Sequence, residues 1–423
     1  MSETQLSRDI AAATAYLPRW MTLLALAFAA LALLVWMTSA GYLLGLAVLA
    51  WWRRRARPAA SGALPPITVV MAVRDEAPSI EAKLADLWAS DYPADRMRLL
   101  IVEAGSNDDT AARVTAATAG DPRVTLQRVN TARHKTDQMR AALATAQDEI
   151  IVATDADGRL APDCVRRLVQ TLDADPATAM VGAWVEPASA LREERLHWAL
   201  LNRLWWLEGE AIGAAGISGV CCAMRRSAVT PPTTGADDIA LALSASAHGY
   251  RVRLCRQARA RELRVPQSFA ELLRFRRRRG RGYLDALDAA PAGGHRGARL
   301  ARAVRRFHFR VTPLAALALL GLGLTVLETA AWPLVPIAAA GFALPLAALA
   351  WRTRSRDSRP QLALAFVRLL AVTWLAMLSL PRRYVTAAGD APLPVRPASG
   401  GAHPVRPHPH ADLAWHHRER QEG

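Results

Sequence analysis

Between Ile67 and Leu172, short apolar runs alternate with amphipathic ones, and few architectures accommodate that rhythm. "ITVVMAV", "RLLIVEAG", "VTLQRV" and "EIIVATDAD" read as strands, because β-branched and aliphatic residues crowd into runs too short for helices. "SIEAKLADLWA", "DDTAARVTAATA" and "TDQMRAALATA" lie between them, and "PDCVRRLVQTL" follows; all four carry apolar residues at helical spacing. Strands apolar along their whole length need both faces covered. The pattern therefore predicts an α/β domain on a parallel sheet with helices on either side. Such sheets bind ligands beyond the carboxyl ends of their strands.

Polar residues gather at those ends. Asp75 and Glu76 follow the first strand, Glu103 and Ser106 the second, and Asp155 and Asp157 the fourth, within "IVATDADGRLAPDC". Alternate residues of an extended chain share a face, so the two aspartates converge if the chain stays extended. Two converging carboxylates suit a divalent cation. The competing reading is a surface turn that caps the helix beginning at Pro162. A calcium-loop reading fails, because the further oxygen ligands and the closing glutamate are missing at the required spacing.

The ends of the chain have a different character. No charge interrupts Trp20 to Trp52. As a helix this run reaches roughly 50 Å, more than the ~30 Å of bilayer hydrocarbon, so one tilted or overhanging span is expected. Arg53, Arg54, Arg55 and Arg57 follow it. They mark an uncleaved anchor with the following residues in the cytoplasm. A second apolar stretch, 311–351, is long enough for a hairpin turning near Pro333 and Pro336, with basic flanks at both ends. A third helix, 361–380, is interrupted by Arg368 and is either a further span or an interfacial helix. The expected organisation is thus a short segment 1–19, an anchor 20–52, a cytoplasmic domain 66–263, a basic interfacial segment 264–310, the hairpin, the third helix and a disordered tail 381–423. Histidines dot that tail, but its interleaved prolines favour disorder over a metal site.

The net charge of +16 lies largely beside the apolar stretches, where basic flanks set topology and touch anionic headgroups. With no nucleic-acid motif present, a nucleic-acid partner is not expected, and a membrane-tethered nucleic-acid binder is the last of the alternative readings. The four cysteines, Cys164, Cys221, Cys222 and Cys255, lack metal-ligand spacing and read as packing residues.

Taken in order, the motifs resemble those of the family 2 glycosyltransferases, whose nucleotide-sugar-binding domain is the Rossmann-like GT-A fold. "AVRDE" resembles the family's opening P-A-R-N-E, "EAGSNDDT" its D-D-G-S-T-D-G-T loop and "RHKTDQMRAAL" its G-K-x-x-A-L-N helix start. "DADG" stands at the D-x-D position, and "GADDIALALSASAHGYRV" resembles the later E-D motif with its G-Y-x-V strand. The likeness covers Pro66 to Gly282 and extends to the apolar anchor before the domain and the spans after it.

The resemblance implies roles. Asp157 would ligate Mn²⁺ or Mg²⁺, and Asp155 would reach the metal or the ribose. Asp75, Glu76 and Glu103 would face the nucleoside, and Lys135 the diphosphate. Asp238 would be the base that deprotonates the acceptor, with Asp237 in place of the family's glutamate. Helix capping is the bland alternative for that pair. In "LLRFRRRRGRGYLDAL", matching Gly282 to the family glycine aligns Arg276 and Arg278 with family arginines. Arg279 then replaces a tryptophan and Phe275 a glutamine. These arginines bind either diphosphate or anionic headgroups. Gly219, in "SGVCCAMRRSAV", would leave room for the acceptor. Ala104 stands where the family has an acid, which leaves the nucleobase open. Trp198, Trp205 and Trp206 have the spacing of buried packing residues.

The expectation is an enzyme of the inner cell membrane, multi-pass, with its catalytic domain in the cytoplasm. It would transfer a sugar from a nucleotide-diphosphate sugar to a lipid acceptor with inversion. The rivals are a processive polysaccharide synthase, which needs a helical channel for its product, and a catalytically silent scaffold built on the same fold.

Overall fold

The computed structural model describes residues 19–53, 64–129, 134–231, 237–329, 331–341 and 359–378. Two helices open it, α1 (Arg19–Thr38) and α2 (Ala40–Arg53), interrupted only at Ser39. The α/β domain follows as β1 (Ile67–Val73), α3 (Ile80–Trp88), β2 (Met97–Glu103), α4 (Thr110–Thr118), β3 (Val124–Arg128), α5 (Lys135–Thr145), β4 (Ile150–Asp155), β5 (Gly158–Leu160) and α6 (Cys164–Asp173). It continues through β6 (Thr178–Pro187), α7 (Arg192–Ile212), β7 (Cys221–Arg225), α8 (Asp237–Ala247) and β8 (Arg251–Glu262). Four more helices follow: α9 (Phe269–Ala289), α10 (Arg296–Arg310), α11 (Thr312–Leu327) and α12 (Arg359–Leu378).

The strands form one eight-stranded sheet in the order β3-β2-β1-β4-β7-β6-β8-β5. Its first four members are parallel, as the alternation predicts. The second half departs from that expectation. β7 runs antiparallel to both β4 and β6, β8 is parallel to β6, and β5 is antiparallel to β8. Buried strands of either direction have the same apolar pattern, so direction is decided by where the preceding connection delivers the chain. Helices supply the covering faces: α6 buries Cys164, Val165, Leu168, Val169 and Leu172, one stripe at helical spacing. All four cysteines are free and buried, in the packing role expected of them.

The register places the functional residues. Val73 pairs with Glu103 and Ala72 with Asp155, so the carboxyl ends of β2, β1 and β4 finish level with one another. Three loops therefore open on the same edge.

The helical stretch from Arg19 to Arg53 is, by length and composition, apolar enough to cross a membrane. Among the described residues it alone meets that test as a single helix. α11 runs antiparallel to α1, with His308 bonded to Thr38 at one end and Gly323 against Phe28 at the other. α10 and α11 meet at a bend of 56°. Residues 334–341 are helical and return along α1, where the Trp36 indole donates to the Gly341 carbonyl at 3.0 Å. The rest of the expected hairpin, 342–351, lies outside the described residues, as do the segment 1–18 and the tail 381–423. α12 packs through Ala365 and Leu369 against Leu196 of α7. Arg368 ion-pairs with buried Glu193 at 3.0 Å and lies over the Phe269 ring. The charge that breaks this apolar helix thus joins it to the domain.

Candidate active site

The turn after β4 brings two carboxylates together. β4 ends at Asp155, Ala156 and Asp157 form a tight turn, and β5 begins at Gly158. The aspartates come near each other through this turn, not along an extended strand as the spacing suggested, and only Asp155 of the two lines the cleft described next. Burial pushes the Asp157 carboxyl up, and the adjacent charge of Asp155 adds to the effect. Each aspartate has a cationic companion. Lys135, the first residue of α5, pairs with Asp155, and the Arg264 guanidinium lies 3.3 Å from Asp157.

Lys135, Asp155, Gly219 and Asp238 line one small cleft. The Gly219 N–H donates to Asp238 Oδ2 at 2.7 Å. A Cβ at Gly219 would sit 3.3 Å from Lys135 Nζ and 3.5 Å from both Asp155 carboxylate oxygens. One glycine therefore separates the late acid from the strand-end acid, and its missing side chain keeps the gap open. Asp238 also accepts from the Ile239 N–H at 2.8 Å, within the first turn of α8. Asp237 opens α8, and its side chain lies outside the described residues.

Glu76 belongs to an adjacent layer. Its Oε1 accepts from Arg264 at 2.8 Å and its Oε2 from the Ser79 hydroxyl, also at 2.8 Å. Burial raises its pKa, against the pull of Arg264. Arg264 thus bridges Glu76 and Asp157. Asp75 adopts a left-handed conformation, φ 54°, which aspartate tolerates in tight turns. Its carboxylate accepts from Asn107 N–H at 2.7 Å, while its own N–H donates to Ser106 Oγ at 3.1 Å. Glu103 accepts from Ser106 N–H at 2.5 Å. Burial alone would raise Glu103, but N–H donors from Ser106 and Gly105 and the Ser106 hydroxyl outweigh it and hold the carboxyl below its ordinary value. These contacts stitch the loops after β1 and β2 together. Gln138 adds to them from α5, donating to the carbonyls of Val73 and Val102.

The arginines of α9 divide. Arg276 is buried against Glu194 of α7, one layer behind the cleft, and Arg278 lies over the Phe275 ring. Arg279 instead pairs with Glu262 at the end of β8, over Phe275 and near Trp198. Helical geometry puts 275, 276 and 279 on adjoining faces, which the alignment of single letters did not reveal. Burial pushes Glu262 up to about 7, offset in part by Arg279 and reinforced by Glu194 and Asp157. Trp198 and Trp205 are buried edge to face, as their spacing implied.

Arg264, Glu262 and Lys83 are absent from the sequence-level site. Lys83 had a readable signal: it stands with Ile80, Leu84 and Leu87 on the buried face of α3, where a lysine is out of place. Arg264 had none, since it is one basic residue among many.

The residues fit a divalent cation. Among the described residues no cluster of three or more histidine, cysteine or acidic side chains could hold a metal unaided. Two oxygen donors, each paired with a cationic side chain, suit a Mg²⁺- or Mn²⁺-type ion when a diphosphate supplies further oxygens.

Comparison with known proteins agrees with this arrangement. The family model for glycosyl transferase family 2 matches residues 68–230, and that for glycosyl transferase family group 2 matches residues 150–353. An N-acetylglucosaminyltransferase from Mesorhizobium japonicum is 28% identical over 163 residues, which are 37% of this chain and 38% of that relative's length. Among solved structures, the mannosyltransferase PcManGT from Pyrobaculum calidifontis, in complex with GDP-Man and Mn²⁺, superposes with a TM-score of 0.58. That match has 22% identity and covers 83% of this chain and 99% of that one. Two overlapping family models, which together span residues 68–353, lead to one conclusion: this chain belongs to glycosyl transferase family 2.

Proposed function

We propose that this enzyme moves one sugar from a nucleoside-diphosphate sugar to a hydroxyl or phosphate on a membrane lipid, with inversion, beside a bound Mn²⁺ or Mg²⁺. The observation that carries the reading is the placement of Asp155 and Asp238 on either side of Gly219. Asp157 and Asp155 would hold the metal, and Lys135 would exchange its contact with Asp155 for the donor diphosphate. A cation held there would supply neutralisation of the charge that builds on the departing diphosphate. Asp238 takes the acceptor proton as the acceptor oxygen attacks the anomeric carbon. The bond to the diphosphate breaks with its electron pair in the same displacement, and the anomeric configuration inverts. Asp75, Glu76 and Glu103 shape the loops that receive the nucleoside. The GT-A mannosyltransferase described with GDP-Man and Mn²⁺ supports these donor and metal classes without choosing the nucleobase.

The membrane assignment rests on exposed apolar side chains. Trp20, Leu23, Leu26 and Leu33 on α1, Trp51 and Trp52 on α2, and Leu314, Leu317, Leu320 and Leu324 on α11 are about half exposed or more. Such a surface suits lipid. Arg53 donates to the Ala211 carbonyl of the α/β domain, so the basic end of the helix is the domain end. The positive-inside rule then puts the catalytic domain in the cytoplasm.

The test is binding of UDP- and GDP-sugars to detergent-purified protein with Mn²⁺ and then with chelator. One donor should bind only with metal, and absence of binding across the panel would favour the silent scaffold. Asp157→Asn should abolish metal-dependent donor binding while the protein stays folded; an unchanged Mn²⁺ titration would remove Asp157 as ligand. Asp238→Asn should bind donor normally and lose transfer by about 10²- to 10⁴-fold. Full turnover in that variant would rule out Asp238 as the base.

A further inference from the structure

Directly behind the Asp155–Asp157 turn lies a lysine that the chemistry above does not use. Lys83 is completely buried on the inner face of α3. Its ammonium donates to the Thr154 hydroxyl at 2.6 Å and to the Gly158 carbonyl at 2.7 Å. Those partners are the residue before Asp155 and the residue after Asp157, so one amine grips both ends of the turn. The Thr154 hydroxyl donates in turn to the Val220 carbonyl at 2.7 Å, tying the grip to the segment that carries Gly219.

A second group on the same helix acts on the outgoing strand. Asp86, three residues on, accepts from Arg159 in a two-pronged pair at 2.5 and 2.6 Å and from Leu160 N–H at 3.1 Å. Val220 closes the clamp from the other side, since a Cβ at Gly158 would meet its side chain at 2.7 Å. A buried lysine costs several kcal/mol of desolvation unless its contacts are well made, and replacing buried charge with apolar atoms is often neutral or stabilising. General stability therefore does not account for a lysine here.

We infer that Lys83 is a positioning residue for the metal: with Asp86 it fixes the Asp155–Asp157 turn so that both carboxylates face one point. The inference rests on the metal-dependent reading of that turn. Groups that orient metal ligands without touching the ion commonly change affinity by about 10- to 100-fold when removed. The positive charge of Lys83 by itself would oppose a cation, so charge and positioning predict opposite signs.

The experiment is Mn²⁺ binding by the detergent-purified full chain, followed by the paramagnetic resonance signal of free Mn²⁺ with UDP or GDP present. The wild-type chain and the Lys83→Met and Asp86→Asn variants are compared. Lys83→Met should keep its unfolding temperature and weaken Mn²⁺ binding at least tenfold. In turnover assays it should raise the apparent KM for Mn²⁺ while kcat recovers at saturating metal. Asp86→Asn should show the same split in weaker form, and it decides the matter if Lys83→Met does not fold. Unchanged or tighter Mn²⁺ binding in a folded variant overturns the positioning role. No nucleotide-dependent Mn²⁺ binding by the wild-type chain overturns the metal reading itself, and the inference with it.

Discussion

Glu262 ends β8 under opposing influences. Burial and the acids Glu194 and Asp157 push it up to about 7, while Arg279 pulls it down. In the unfolded chain the same carboxyl titrates near 4.3. The folded state thus binds the proton more tightly, so this residue's contribution is full at low pH and declines as pH rises through that interval. Between pH 5 and 7.5 the wild-type protein should lose on the order of 2–3 kcal/mol relative to Glu262→Gln, at about 1.4 kcal/mol per unit. Thermal unfolding of both proteins at several pH values checks this, and parallel curves would show that Arg279 holds the carboxylate charged throughout. Asp157 shows the limit of reading residues singly. Its place beside Asp155 was legible from the spacing, but the partner that faces it, Arg264, lies 107 positions away in a strand-end segment with no distinguishing pattern.

At the scale of elements, α7 is the joint between the helices at the two ends and the catalytic sheet. Its Glu208 is fully buried, accepts from Tyr42 of α2 at 3.0 Å and from Arg305 of α10 at 2.5 Å, and has its pKa raised by that burial. Arg305 also donates to the Ala214 carbonyl. Glu208→Ala would leave Arg305 buried without its counter-charge, a loss of about 3–5 kcal/mol. Proteolysis should then separate α1–α2 from the domain at lower temperature than in wild type, whereas Glu208→Gln should retain part of the joint. Equal protease resistance in Ala and wild-type proteins would mean that apolar packing of Leu46, Ala50 and Ala211 suffices. The first four strands and four helices of the domain were legible to within two residues at each end, because periods of 2 and 3.6 separate cleanly in runs of that length, whereas the short β5 was not read as a strand. The arginine-rich stretch 264–310 was read as a basic interfacial segment whose arginines bind diphosphate or anionic headgroups. Its helices instead direct Arg276, Arg279, Arg305 and Arg310 into ion pairs with Glu194, Glu262, Glu208 and Asp288. Composition could not reveal this, since each acidic partner lies on a different turn or element.

For the whole molecule, apolar surface is shared between the two ends of the chain. α1 and α11 bury Phe28, Ala32 and Val326 against each other and expose leucines on their outer sides. Deleting residues 1–53 should therefore leave a protein that is still extracted only with detergent, because α11 keeps its exposed leucines; a monodisperse protein in plain buffer would contradict this. By itself the sequence determined the α/β class and the strand ends where Asp155 and Asp157 stand, because periodicity and short-range spacing are local properties, whereas Asp238 was singled out by the resemblance of its segment to the family's E-D motif. Only the tertiary structure decided strand direction beyond β4, the convergence of Asp155 and Asp238 across Gly219, what the buried Lys83 holds, and the partners Arg264 and Glu262. Those depend on contacts between segments tens to hundreds of residues apart, and such contacts are set by how layers pack and leave no trace in neighbouring letters.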